Sequence, residues 1–179
     1  MQLVILSGPP NAGKSATAEA LCQRYDRMLH IDVNVLRDFL RMGRLRPWDE
    51  SPDGRRQERL LIGSACDTAR RFLDAGYGVI IDSIITKDDL PPYAEELASV
   101  AAPVHFAVLL PALEVLLERE ASRPTEWHRA DRLEAVYERF AGWEGVATIE
   151  PGALAPNLVA DRVMALAGEG RALMPRAGR

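Results

Sequence analysis

Gly8, Pro9, Pro10, Asn11, Ala12, Gly13, Lys14 and Ser15 follow one another in the chain. These residue types at this spacing hold phosphate. Gly8 and Gly13 permit backbone angles that a side chain obstructs. The turn then aims successive N–H groups inward as an anion nest, and the helix that follows adds the positive end of its dipole. Lys14 has the reach for the β- and γ-phosphates of a nucleoside triphosphate, and the Ser15 hydroxyl is placed to ligate Mg²⁺. Gly8, Asn11, Ala12, Gly13, Lys14, Ser15 and Ala16 are therefore expected to line the triphosphate, with ATP as the nucleotide. A chance Gly-rich turn would lack the context found here, an apolar run before the loop and a helical pattern after it.

Other chemistry-bearing residues stand at similar junctions. Asp32 and Asp82 each follow a short apolar run directly. Asp82 also suits turn capping, since Asp-Ser-x-x-Thr can bond its own backbone. Arg119, Arg123, Arg129 and Arg132 crowd one polar stretch, where Glu118 and Glu120 offer surface ion pairs. Trp48 and Trp127 suit stacking on a ligand or packing onto the core. His30, His105 and His128 show no metal-ligand spacing and no nucleophile partner. Cys22 and Cys66 suit buried free thiols.

The elements that must position these residues alternate along the chain. Residues 3–6, 28–31, 79–81, 104–110 and 146–149 read as strands. Helices are expected at 14–25, 33–42, 55–75, 88–100, 112–121, to about 141, and 156–167. The punctuated segment 43–54 reads as a loop, and Gly76 sits where a helix C-cap wants glycine. Residues from Gly168 to Arg179 read as a short mobile tail after one domain spanning 1–168. Five continuous apolar strands separated by helices predict an α/β fold, a parallel sheet covered on both faces. Ligands in such sheets bind beyond the strands' carboxyl ends, so residues 8–15, 32–37, 82–86, 111 onward and 150–155 should converge.

The loop at 8–15, the segment from Asp32 through Asn34 to Arg37, Asp82, and the arginines of 119–132 together resemble small P-loop kinases. The nearest resemblance is to the chloramphenicol phosphotransferase-like and polynucleotide-kinase-like proteins of the zeta-toxin/AAA-type ATP-binding group, over about residues 1–168. It implies a three-layer α/β/α P-loop NTPase fold, a parallel sheet in the order 2-3-1-4-5, and a lid at about 119–132. It also implies an ATP- and Mg²⁺-dependent phosphotransferase acting on a hydroxyl. Asp32 is then expected near the metal with Ser15. Arg37 and Asp82 are expected at the acceptor, and Arg119 and Arg123 on the transferring phosphoryl group. Lys14, Asp32, Asp82 and Arg123 form the implied catalytic set.

Relatives often carry Asp-x-Asp after the second strand, the second Asp serving as general base. Here that position is Asn34, and an amide accepts no proton at neutral pH. Three readings stand open: Asp32 or Asp82 is the base, Asn34 merely orients the acceptor, or Asn34 is a disabling substitution.

Composition narrows the partner. The chain has 179 residues, a formal net charge of −4 and 47 % hydrophobic residues. A net negative chain lacks the bulk attraction that drives polynucleotide binding. A small-molecule hydroxyl acceptor such as an antibiotic, a sugar or a nucleoside is favoured over nucleic acid. A polynucleotide 5′-hydroxyl kinase and a non-catalytic ATP-binding module are the alternatives. The chain carries no Asn-Lys-x-Asp guanine signature. With no signal-peptide pattern and no transmembrane-length apolar run, the expected location is the cytoplasm, as a monomer or homodimer and without a membrane partner.

Overall fold

The computed structural model describes residues 2–122 and 130–175. The chain runs β1 (Leu3–Ser7), α1 (Lys14–Cys22), β2 (Met28–Asp32), α2 (Val33–Asp38), α3 (Pro52–Asp74), β3 (Gly78–Asp82), α4 (Leu90–Glu96), β4 (Val104–Leu109), α5 (Leu113–Ala121), α6 (Ala130–Glu138), β5 (Ala147–Ile149) and α7 (Pro156–Gly168). The five strands form one parallel sheet in the order β2-β3-β1-β4-β5.

The strands are continuous apolar runs because both sheet faces are covered. Side chains alternate between faces along a strand. Leu3 and Ile5 of β1, with Val79, Ile81, Phe106 and Val108, pack toward Leu61, Ile62, Ala65, Cys66 and Ala69 of α3. Val4, Leu6, Ile80, Ala107 and Leu109 point the other way, onto Ala18 and Leu21 of α1 and Val159, Ala160 and Val163 of α7. Every residue of β1 and β3 is buried. Burial on both faces is what a helix–sheet–helix sandwich requires.

Several boundaries differ from the sequence expectation. Helix α2 ends at Asp38 rather than near residue 42. Its last turn tightens, with Phe39 N bonded to Leu36 O and Leu40 N to Arg37 O, and the chain leaves the helix there. Helix α3 begins at Pro52, inside the segment expected to be loop. Ser51 caps it by accepting from Gly54 N at 3.0 Å, and Pro52 stands in the first turn, where its missing N–H costs nothing. The fourth helix is shorter than 88–100, covering only Leu90–Glu96.

The segment after α7 does not run free. Strand β5 pairs only with Ala107, Val108 and Leu109, so the earlier half of β4 has an open edge. Residues 172–174 take it in antiparallel fashion. Phe106 N donates to Ala172 O at 2.7 Å, and Met174 N donates to Val104 O at 2.9 Å. Unpaired backbone groups at a half-covered edge are costly, which accounts for this return. The sequence suggested a mobile tail here; residues 172–174 instead complete the sheet.

No helix among the described residues is long and apolar enough to cross a membrane.

Candidate active site

The carboxyl ends of β1, β2 and β3 lie side by side. Leu6 of β1 is in register with Asp82, and Asp82 with Asp32. The parallel register thus brings two carboxylates, fifty residues apart in sequence, to the same edge as the phosphate-type loop. Ser7 holds this edge together. Its buried hydroxyl donates to Ile85 O at 2.7 Å and accepts from Ile85 N at 2.9 Å, fastening the segment after β3 to the end of β1.

The loop from Gly8 to Gly13 links β1 to α1. At Gly8, with φ 142°, a Cβ would collide with the Leu109 carbonyl oxygen, so only glycine fits. Gly13, with φ 91° in the left-handed region, then starts α1 at Lys14. Asn11 also has a left-handed φ of 65°, a conformation that asparagine tolerates better than most residues. Tertiary contacts hold it there. Its Nδ2 donates to Glu120 Oε2 at 2.6 Å, and its carbonyl accepts from Arg119 at 2.8 Å. The end of α5 therefore clamps the crown of the loop. Glu120 carries no sequence signal for this role; only its burial marks it.

Lys14 is 8 % exposed, and its ammonium donates to Pro9 O at 3.0 Å. Burial lowers its pKa from the ordinary 10.5, and the fields of Asp82 and Asp32 work against that lowering. A desolvated cation facing into a cavity is stabilised when an anion arrives.

Asp82 is 1 % exposed and accepts from the Ser15 hydroxyl at 2.6 Å. Its other oxygen, Oδ1, is buried without a hydrogen-bond partner among the described residues. His30 Nε2 stands 3.5 Å from Asp82 Oδ2 and makes no hydrogen bond. Asp32 caps α2, its Oδ1 accepting from Asn34 N at 2.8 Å and Val35 N at 3.4 Å. The sequence grouped Ser15 with Asp32 and sent Asp82 to the acceptor. In the fold it is Asp82 that bonds Ser15, because β3 lies next to β1 while β2 is one strand further out. The Ser15 hydroxyl and the Asp82 carboxylate are hard oxygen donors, and the unpartnered Oδ1 leaves capacity for a cation. That pair fits Mg²⁺, which keeps few protein ligands and completes its shell with phosphate and water. No cluster of three or more His, Cys, Asp or Glu among the described residues offers an all-protein metal site instead.

Arg37, which the resemblance placed at the acceptor, packs against α3. It is 6 % exposed and ion-pairs with Glu58 of α3 at 2.6 Å. It ties α2 to α3, and spacing from Asp32 alone does not reveal which face of a six-residue helix it occupies. Trp48 packs on the core with Arg139 over its ring at 6.0 Å. Arg123, Trp127, His128 and Arg129 lie outside the described residues, as does half of the expected lid.

Two cavities meet at the loop. One, of about 570 Å³, is lined by residues 11–17, Arg119, Pro151, Leu154, Pro156 and Val159. It combines the phosphate-type loop with an apolar slot beyond β5, at the segment expected to converge on the loop. The other, of about 680 Å³, is walled by Pro10, Asn34, Asp38, Arg41, Arg44 and Ile84. Asn11, Lys14 and Ser15 line both. Asp38 and Arg41 escaped the sequence reading, because the end of α2 and the loop after it meet the site only in three dimensions.

Arg119 donates to Asn11 O and, at 3.4 Å, to Gly152 O, bridging the loop to the segment after β5. Arg119→Ala is expected to raise the KM for ATP about tenfold, the scale of one lost charge-assisted hydrogen bond, and to change kcat less. Initial-rate kinetics at varied ATP check this. A fall in kcat with an unchanged KM would put Arg119 on the transferring phosphoryl group instead.

A parallel 2-3-1-4-5 sheet with a glycine-rich loop between its central strand and a helix, and two cavities meeting there, defines a P-loop fold of the small-kinase type. The chain belongs to the AAA domain family, whose model matches residues 3–144. No curated protein matches it in sequence. Solved structures share the fold at low identity. The tunicamycin resistance protein of Deinococcus radiodurans aligns with a TM-score of 0.69 and 20 % identity over 97 % of this chain and 98 % of that one. The APS kinase of Mycobacterium tuberculosis, in complex with AMPPNP and APS, aligns with a TM-score of 0.71 and 15 % identity over 93 % and 97 %. A gluconokinase of Sinorhizobium meliloti 1021 aligns with a TM-score of 0.64 and 20 % identity over 95 % and 92 %.

Proposed function

We propose that this chain is a kinase that uses ATP and Mg²⁺ to phosphorylate a hydroxyl of a small molecule. The observation that carries the reading is the pair of cavities sharing Asn11, Lys14 and Ser15. A protein that only binds or hydrolyses a nucleotide needs one cavity. A kinase needs a second, opening on the γ-phosphate end of the first.

The proposed reaction uses the residues as follows. The loop backbone and Lys14 orient the triphosphate, and the acceptor sits against Asn34. The acceptor oxygen bonds to the γ-phosphorus as the bond to the β–γ bridging oxygen breaks, and ADP leaves with that electron pair. The acceptor proton passes to the carboxylate of Asp32. Ser15 and Asp82 would hold Mg²⁺, which would supply charge neutralisation for the triphosphate. Asp32 is preferred as the base for three reasons. Asp82 is buried against Ser15. Asp38 is engaged by Arg44 at 2.6 Å. Asp32 is partly exposed, lies within the field of Lys14, and stands two residues from Asn34 on the acceptor wall. Because the transition state is loose, positioning and charge neutralisation carry most of the rate.

Incubation with γ-labelled ATP and a panel of hydroxyl compounds (sugars, sugar acids, nucleosides and aminocyclitols) tests the reading. Label appearing on an acceptor supports it. ATP binding with label remaining on ATP or passing only to water would overturn it.

If Asp32 is the base, Asn34→Asp adds a carboxylate where none is needed, and turnover is expected to change by less than about threefold, well short of the 10²–10⁴-fold scale of general-base catalysis. A rise of tenfold or more in steady-state assays would mean that the wild-type chain lacks its base.

A further inference from the structure

The acceptor-side cavity has a charge imbalance that phosphate binding at Lys14 leaves untouched. Its wall away from the loop carries three charged side chains, Asp38, Arg41 and Arg44. Asp38 and Arg44 neutralise one another at 2.6 Å. Arg41 makes no hydrogen bond and no ion pair among the described residues. The side chain of Asn34, on the same wall, is likewise unpartnered. The remaining walls, Pro10 and Ile84, supply only two small apolar surfaces. The cavity therefore offers one uncommitted planar cation and one amide across from the phosphoryl-transfer end.

Resting on the kinase reading above, we propose that the acceptor is an anionic hydroxyl compound, whose carboxylate, phosphate or sulfate group is bound by Arg41. A guanidinium presents a rigid fork of donors that matches such groups in a bidentate way. The shape of the cavity sets the order of the contacts. Lys14 and Ser15 lie at the first turn of α1, while Arg41 and Arg44 come from the loop after α2. A molecule reaching from one to the other puts its hydroxyl at the phosphoryl group and its anionic end at the loop. Asn34, which lines the same cavity, offers a hydrogen-bonding amide for further hydroxyls. Arg44, held by Asp38, shapes the same corner and adds a second, partly neutralised cation. A neutral acceptor would leave Arg41 without a partner and would find little apolar surface in exchange.

The test uses pairs of compounds that differ in the charge of one carboxyl group: gluconate against its amide, and shikimate against its methyl ester. Binding is measured by calorimetry on the full chain saturated with AMPPNP, so that the loop is already filled. Transfer is measured separately with labelled ATP. At least one anionic member is expected to bind about tenfold to a hundredfold more tightly than its neutral partner, the scale of a charge-assisted contact. In Arg41→Met that preference falls below about threefold while the affinity for AMPPNP is unchanged, and Arg41→Lys recovers part of it. Equal or stronger binding of the neutral members, or an Arg41→Met variant that keeps the preference, overturns the proposal. Selective binding without transfer leaves the anion site standing and removes the kinase reading. Transfer to neutral members alone does the reverse.

Discussion

Lys14→Met is expected to lower phosphoryl transfer by at least about 10²–10³-fold, the scale of one preorganised electrostatic group at a reacting centre. The folded chain should tolerate the change. The Lys14 stem is buried, and methionine fills similar volume without a charge to desolvate. The two halves of this expectation share a cause. Burial, opposed by Asp82 and Asp32, holds the Lys14 ammonium below its ordinary pKa of 10.5. Without a phosphate the charged form is disfavoured, and with one it is the interaction that stabilises the transferring group. The pH dependence follows in sign. Between the lowered folded value and 10.5 the unfolded chain binds more protons than the folded chain, so Lys14 makes the free protein more stable as pH rises through that window. Cys66, pushed up to about 12 by burial, acts in the opposite sense above its ordinary 9.0. The diagnostic quantity is therefore the difference between wild type and Lys14→Met in thermal unfolding from pH 7 to 10. That difference should shift in favour of the wild type as pH rises. Transfer within threefold of wild type, or a difference that does not change with pH, would remove Lys14 from this role.

Asp32→Asn is expected to cost about 10²–10⁴-fold in turnover, the range of general-base catalysis. Its value as a test lies in what it leaves alone. Asp32 Oδ1 caps α2 by accepting from Asn34 N and Val35 N. Asparagine caps a helix about as well as aspartate, so Asn at 32 keeps the start of α2 and with it Asn34 on the acceptor wall. What it cannot do is take the acceptor's proton. ATP affinity and melting temperature should therefore stay close to wild type while single-turnover transfer collapses. Asp82→Asn is the contrasting variant. It weakens the partner of Ser15 and should raise the Mg²⁺ concentration needed for half-maximal activity. If Asp32→Asn retains more than a third of the wild-type rate, the proton goes elsewhere, and Asp38 on the cavity wall becomes the next carboxylate to test.

Helix boundaries were legible where local chemistry is strong and lost where it is ambiguous. Pro156 starts α7 where expected, after a clear break in the apolar pattern. Pro52 also starts a helix, yet among Gly43, Pro47, Ser51 and Gly54 it reads as one more loop residue. Arg37 shows a different limit. Its spacing from Asp32 matches a substrate arginine, but helix α2 is too short for a pattern to announce its face. Glu58, the ion-pair partner of Arg37, lies on another helix 21 residues on.

The residues by themselves determined the phosphate loop and the parallel sheet. Both are written in short-range terms: glycines at two fixed offsets before Lys14, and strands apolar on both faces. They also determined that Asp32 and Asp82 end strands. Which of the two meets Ser15 was decided only by tertiary structure, because strand order governs it and β3 rather than β2 lies beside β1. The same holds for the clamp of Glu120 and Arg119 on Asn11 and for the wall of Asp38, Arg41 and Arg44. Those contacts join segments far apart in the chain, and no local pattern records the faces they present to one another.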